Sequence, residues 1–305
     1  MCRQFITLLL SGAIALLPTC SQAETFVVRL VLSDSTAPYQ QFSTALNKAL
    51  SATSTANKAT LPILELHTGG DKKTNLVIAV GIKATEIALA DFDVPVLSVM
   101  VPKAGYEALL EKHLLRKKSK TISAIYLDQP WNRQMSFIQA ALPKHGIIGI
   151  LYSPNTHIVL PRLPQGMSLN AKSVRSGETL FAALENILES SDVLLVTPDS
   201  EIYSSSNLRN ILLTSYRKKV PLIGISQAYV NAGALCAIFS TPEQIAWQAA
   251  EAIISFAQNR QLPEPQYPAS FSIGINQQVA NSLEIEIAPP EIIRQRMEKA
   301  GEGAR

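Results

Sequence analysis

Apolar runs of strand length alternate with stretches of helical period along almost the whole chain. Thr25 to Ser33 reads as a strand. Tyr39 to Leu50 follows with apolar residues at Phe42, Ala45, Leu46, Ala49 and Leu50, the spacing of one helix face. Further strands are predicted at Ile63 to His67, Leu76 to Gly81 and Pro95 to Val101, with helices at Ala84 to Asp91 and Gly105 to Leu115. A strand from Ile122 to Leu127 then leads to a helix from Asn132 to Leu142. Strands that are apolar throughout, rather than on alternate positions, are buried on both faces, as in a parallel sheet covered by helices.

After Pro143-Lys144-His145-Gly146 the pattern restarts. Strands are predicted at Ile147 to Tyr152, Ser168 to Val174, Val193 to Thr197, Pro221 to Ile225 and Ala234 to Ser240. Helices are predicted at Glu178 to Leu188, Asn207 to Tyr216 and Pro242 to Gln258. The Pro-rich piece Leu262 to Pro268 reads as an extended linker. It precedes a strand from Phe271 to Ile275, a helical segment around Asn276 to Leu283 and a last helix from Pro289 to Ala300, with proline where a helix start tolerates it. The fold class is therefore α/β, with two lobes. The chain is expected to cross between them near Leu127 to Pro130, Ala234 to Ser240 and Phe271 to Asn276, giving three hinge strands. The division that follows is 24–128 plus 241–270 for the first lobe and 129–240 plus 271–305 for the second.

The N-terminus changes the picture. Arg3, an apolar run from Phe5 to Pro18 and the small-residue pattern Ser21-Gln22-Ala23 have the build of a secretory signal peptide cleaved after Ala23. The run is shorter than the ~20 residues of a membrane helix, and no comparable run follows. Cys20 raises the alternative of a lipoprotein anchor, for which Leu17-Pro18-Thr19 is a poor fit. Cleavage after Ala23 leaves Cys236 as the single thiol, unable to form an intrachain disulfide and placed in an apolar run as a buried small hydrophobe. It also removes one of the 27 basic residues and none of the 24 acidic ones. So balanced a charge gives no reason to expect nucleic acid, and the basic cluster Arg116-Lys117-Lys118-Ser119-Lys120 reads as a solvated turn.

Enzyme motifs fail on chemistry. Gly224-Ile225-Ser226-Gln227-Ala228 looks like a worn nucleophile elbow, but in that hydrolase class the histidine follows the serine, and no histidine follows His157. His67, His113, His145 and His157 pair with no cysteine or carboxylate at metal-ligand spacing. Gly69-Gly70-Asp71 reads as a turn. No cofactor is implied. What remains are polar clusters at the C-terminal ends of strands, the edge where open α/β sheets bind ligands. They are Ser33-Asp34-Ser35, Gly81-Ile82-Lys83-Ala84-Thr85, Ser153-Pro154-Asn155-Thr156, Pro198-Asp199-Ser200 and Ser226-Gln227-Ala228-Tyr229. Ser33, Asp34, Asp199 and Ser200 are equally good helix caps. Tyr39, Tyr126, Trp131 and Tyr229 lie near these loops, where they either stack on an organic ligand or pack as support.

Several stretches resemble the ABC transporter substrate-binding family that includes tryptophan- and tyrosine-binding proteins. They are Ile122 to Pro130 with Arg133-Gln134 and Leu142-Pro143; Ile147 to Asn155; Asp192 to Ser200; Lys219-Val220-Pro221 leading to Gly233-Ala234-Leu235; and Phe271 to Asn276 with Ala280 to Ile287. The resemblance covers nearly all of the chain after the signal. It implies a type I periplasmic-binding-protein fold, two Rossmann-like lobes closing over a ligand. It also implies a monomer in the periplasm that hands a small organic solute to an ABC permease; a sensory subunit serving a membrane receptor is the alternative. In relatives the loop after the third strand commonly reads Gly-Thr and helps hold a ligand carboxylate. Here Ile82 and Lys83 replace that pattern, and Val101-Pro102-Lys103 stands where relatives often carry Asp-Pro. The ligand-binding set implied is Ser33, Asp34, Ser35, Gly81, Ile82, Lys83, Ala84, Tyr126, Ser153, Asn155, Asp199, Ser200, Gln227 and Tyr229. N-terminal sequencing of the exported chain is expected to begin at Glu24; a blocked N-terminus at Cys20 identifies the lipoprotein instead.

Overall fold

The structure, a computed structural model, describes residues 25–56, 64–68, 73–118, 121–156, 163–174 and 177–301. The chain begins with β1 (Phe26–Leu32), α1 (Ala37–Ala56), β2 (Leu64–His67), β3 (Leu76–Val80) and α2 (Ile82–Asp91). It continues through β4 (Val96–Val101), α3 (Lys103–Lys112), α4 (Leu114–Lys118) and β5 (Ile122–Tyr126). These strands pair in parallel in the order β2-β1-β3-β4-β5. Alternate side chains of one strand feed opposite layers, as the two-residue period of a strand requires. Ile78 and Val80 point to α1, and Val77 and Ala79 to α2 and α3.

The second half contains α5 (Trp131–Ala141), β6 (Ile147–Tyr152), β7 (Ser168–Ser173), α6 (Leu180–Glu189), β8 (Val193–Leu195), α7 (Ser205–Arg217), β9 (Leu222–Gly224), α8 (Gln227–Ala232) and β10 (Cys236–Phe239). The chain then runs through α9 (Pro242–Asn259), β11 (Ser272–Ile275), α10 (Gln277–Ser282) and α11 (Pro290–Lys299). Its sheet has the order β11-β10-β9-β8-β6-β7. Met135 and Ile138 of α5 and Ile293 and Met297 of α11 cover one face; Leu184 and Ile187 of α6 and Ile211 of α7 cover the other.

α9 departs from chain order. It follows β10 of the second sheet but packs on α1 of the first, where Ile245, Ala249, Ile253 and Phe256 join Phe42, Leu46 and Ala49 in one core. Thr241 opens it with a capping box: its hydroxyl accepts from the Gln244 amide while Gln244 accepts from the Thr241 amide. The chain passes between sheets at 127–130, at 240–241 and at 268–271. The two later passages are thus short pieces flanking β10 and β11. The expected crossing strands are full members of the second sheet, and β11 runs antiparallel to β10, so that sheet is parallel except at one edge.

Other departures have local causes. The helix expected to run unbroken to Leu115 stops at Lys112, and α4 restarts at Leu114, where the Arg116 guanidinium donates to the carbonyls of Phe92 and Val94 and draws the chain aside. α8, six residues long, is too short to show a period. β4 carries a register shift between Val99 and Val101, with Met100 at φ 53°, a left-handed conformation that non-glycine residues rarely adopt. The expected signal peptide with Cys20, the Gly69-Gly70-Asp71 turn and His157 lie outside the described residues, as do Ser119 and Lys120 of the basic cluster. Among the described residues no helix is long and apolar enough to cross a membrane.

Ile253 is fully buried between α9 and α1. Ile253→Ala is expected to lower the unfolding free energy by about 2–5 kcal/mol, read from urea denaturation followed by circular dichroism.

Candidate functional site

In a sheet of order 2-1-3-4-5 the chain reverses direction of growth beside its first strand, and the crevice outside the C-terminal ends of the two strands flanking that reversal is the usual ligand site. In the first sheet the reversal lies between β1 and β3. The residues that follow those strands are Ser33 and Gly81, both singled out by the sequence.

They form one unit. Gly81 is the N-cap of α2 at φ 85°, and it has no side chain with which to cap. The Ser33 hydroxyl does so from the neighbouring strand end: it accepts from the Ala84 amide at 2.9 Å and donates to the Val80 carbonyl at 2.8 Å. A Cβ on Gly81 would lie 2.5 Å from the Tyr39 phenol oxygen and 2.6 Å from the Ser33 hydroxyl, so glycine is required by space as well as by φ. Burial, reinforced by the Asp34 charge, raises the Tyr39 pKa against its hydrogen bond with Ser33. Asp34 accepts from the Thr36 amide at 2.8 Å; its hydrogen bonds with Thr36, helped by the Lys83 charge, hold its carboxyl below the ordinary value. Asp34, Ser35 and Lys83 are exposed. Ile82 and Lys83 are therefore the first turn of α2 and not a loop.

The second sheet repeats the order, with its reversal between β6 and β8. The following residues there are Ser153 and the loop 196–200. Asp199, 4% exposed, joins them. One carboxylate oxygen accepts from the Ser153 amide at 2.7 Å and the Thr156 hydroxyl at 2.8 Å; the other accepts from the Glu201 and Ile202 amides at 3.0 and 3.2 Å. Burial alone would raise its pKa, but these donors outweigh it and the pKa is lowered. Asn155 reaches Glu201 at 3.2 Å, and Asn155 and Ser200 remain exposed.

Polar clusters named from the sequence thus flank both reversals, but Ser33 and Asp199 spend their hydrogen bonds on the scaffold. The groups still presented to solvent on the rims are Asp34, Ser35, Lys83, Asn155, Ser200 and Gln227. Gln227 opens α8, bonded to Asn231. Tyr229 lies against Gly224, whose added Cβ would meet the Tyr229 Cβ at 2.4 Å, and its phenol reaches the Tyr203 carbonyl at 3.5 Å. Tyr126 is buried in the first lobe, edge-on between Tyr106 at 5.9 Å and Tyr267 at 5.3 Å, with its pKa pushed up to about 12, chiefly by burial. It packs under α3 rather than standing on the rim.

Ser226 has ordinary extended backbone, φ −161°, without the sharp strained turn of a nucleophile elbow. Burial pushes the Cys236 thiol up to about 12, which removes its nucleophilic form at neutral pH. Among the described residues no group of three His, Cys, Asp or Glu is placed to hold a metal ion.

Gln129, Arg133 and Ser240 were missed as a set. They lie at the passages between lobes; the sequence placed Gln129 and Ser240 in predicted crossings and Arg133 four residues after Gln129 at a helix start, but nothing in it joined the three.

The model of the ABC transporter substrate binding protein family matches residues 50–294. No curated protein matches the sequence. Among solved structures, a tryptophan-bound ABC domain from Streptococcus pneumonia is similar at 15% identity and TM-score 0.60, over 90% of this chain and 98% of that one. A ligand-free, open substrate-binding protein with adhesive properties from Clostridium difficile is similar at 14% identity and TM-score 0.60, over 87% and 96%. A conserved domain protein from Vibrio cholerae is similar at 16% identity and TM-score 0.58, over 89% and 98%. These structural likenesses establish the type I periplasmic-binding-protein fold.

The lowered Asp199 pKa fixes the sign of a pH effect. The carboxylate contributes stability that is present above its unfolded pKa of about 3.9 and is lost as pH falls through the lower folded value. Asp199→Asn is expected to cost about 1–3 kcal/mol at pH 7, with the gap to the wild type narrowing below about pH 4, measured by urea denaturation across pH.

Proposed function

Because the chain belongs to the ABC transporter substrate-binding protein family, we propose that it is an exported solute-capture protein that holds a small organic ligand between its lobes for an ABC permease. The observation that carries this reading is the doubling of one arrangement. Each sheet reverses its strand order at a polar strand-end cluster, and all three passages join the edges on which those clusters stand. Two such rims facing each other enclose a small molecule.

The lobe division at 24–128 with 241–270, and 129–240 with 271–305, is part of the proposal. It is supported by the packing of α9 on α1 and of α11 on α5. Export through residues 1–23 to the periplasm and a monomeric state belong to the same reading. So do the ligand contacts: Asp34, Ser35 and Lys83 on one rim, and Asn155, Ser200 and Gln227 on the other. Their mixed polarity suits a solute with hydrogen-bonding groups of both kinds. Closure follows only if the solute binds the closed arrangement better than the open one.

The test is a thermal-shift screen of the chain from Glu24 onward against amino acids, aromatic acids, purines, sugars and small peptides. A ligand at 100 times its dissociation constant adds about 2.7 kcal/mol of stability, a clear rise in Tm. The expected outcome is a hit that weakens in both Lys83→Ala and Ser200→Ala, one change on each rim. Hits indifferent to both changes, or a flat screen on folded protein, overturn the reading.

A further inference from the structure

The three passages between the lobes are joined by a single buried hydrogen-bond circuit. Gln129, on the first passage, is 7% exposed, Ser240, on the second, is 6% exposed, and Arg133, in the first turn of α5, is 8% exposed. The Gln129 side-chain amide donates to the Ser240 hydroxyl at 2.9 Å, and that hydroxyl donates to the Ser270 carbonyl, on the third passage, at 2.5 Å. The Arg133 guanidinium closes the circuit. It donates to the Gln129 side-chain carbonyl and to the Pro268 carbonyl, each at 2.8 Å. One glutamine thus uses its donor end on the second passage and its acceptor end on a cation that holds the third. The Gln134 side chain donates to the Gln129 main-chain carbonyl at 2.8 Å and fixes the first passage from the α5 side.

The circuit is braced on both sides. Gln248 of α9 donates to the Tyr267 carbonyl at 3.2 Å and accepts from the Ala269 amide at 2.8 Å, which ties the third passage to the first lobe. Across the passage, the guanidiniums of Arg133 and Arg294 lie 5.0 and 4.3 Å from the centre of the Phe271 ring, and Arg294 donates to the Phe271 carbonyl at 3.0 Å. Isolated covalent passages would bend independently, each with its own backbone torsions. Passages whose buried polar groups satisfy one another cannot do so without leaving a donor or acceptor unmatched.

We propose that Gln129, Arg133 and Ser240 are positioning residues that lock the three passages into one hinge, so that the lobes move as a single rotation and not as three loose tethers. The proposal rests on the two-lobe capture reading only for its purpose; the lock itself is a property of the chain without solute.

The experiment measures the distance between spin labels placed by Gln40→Cys in α1 and Arg209→Cys in α7. Both sites are exposed and near the starts of helices that begin at the interlobe edges, and native Cys236 is fully buried. Without solute, the chain from Glu24 onward, which lacks Cys2 and Cys20 and is otherwise unaltered, is expected to give one narrow distribution. Gln129→Leu, which removes both ends of the amide, is expected to broaden it or add a second population, changing the ratio of lobe arrangements by about five- to ten-fold. Ser240→Ala should move the distribution in the same sense, and it serves if the leucine variant fails to fold. The double variant should add little to either single change, since both break one circuit. Circular dichroism reports folding separately. An unchanged distribution in a folded variant overturns the lock, whatever the solute screen finds; a flat solute screen with altered distances leaves the lock standing and removes its proposed use.

Discussion

The arrangement of the interlobe face depends on the common direction of the strands. In a parallel sheet every strand ends at the same edge, so the loops with the least regular structure and the greatest freedom to carry polar side chains collect there. The chain leaves the first sheet after β5, at that edge, and enters the second through α5, whose start stands at the equivalent edge. The return after β10 and the final passage before β11 obey the same geometry. β11 satisfies it by running antiparallel: a strand entering from the interlobe edge has to point away from it.

From that constraint comes a division of labour among the polar residues. Hydroxyls and carboxylates at strand ends are pulled in two directions, towards solute and towards the unsatisfied amides of neighbouring helices and loops. At Ser33 and Asp199 the scaffold wins, since both are bonded to backbone from elements other than their own. Asp128 shows the same use at the end of β5. It accepts from the Lys103 amide at 2.7 Å, and burial still raises its pKa against that bond. Residues one place further along the loops stay exposed: Ser200 faces solvent, and Asp34 is bonded only to Thr36 of its own loop. The rim is therefore stiff beneath, which lowers the ordering cost of holding a ligand, and adaptable at its surface, which adds to that cost.

The sequence made the sheets legible because strands buried on both faces leave runs such as Leu76 to Val80 with no polar interruption, and helices such as α1 show their period in Phe42, Leu46 and Ala49. The family resemblance added the lobe plan. Much of what escaped detection is non-local. A hydroxyl that caps a helix from another strand looks, in sequence, like any serine after a strand, and Tyr126 gives no sign that Tyr106 and Tyr267 enclose it. Nothing near Met100 announces a bulge. The Gln129 circuit joins residues 111 and 135 positions apart, beyond any local pattern.

The borrowed caps also bear on how the first lobe folds. α2 and α3 both start at residues, Gly81 and Pro102, that offer no capping side chain, and each takes its cap from a distant strand end, 51 positions away for Ser33 with Ala84 and 25 for Asp128 with Lys103. Neither helix can be completed by its own segment. A helix start left uncapped until β1 or β5 docks gains little from forming early, so order in this lobe arrives together across elements and not piece by piece along the chain. The same coupling works in reverse: β1 cannot peel away without fraying α2, which makes the lobe lose its structure as one unit.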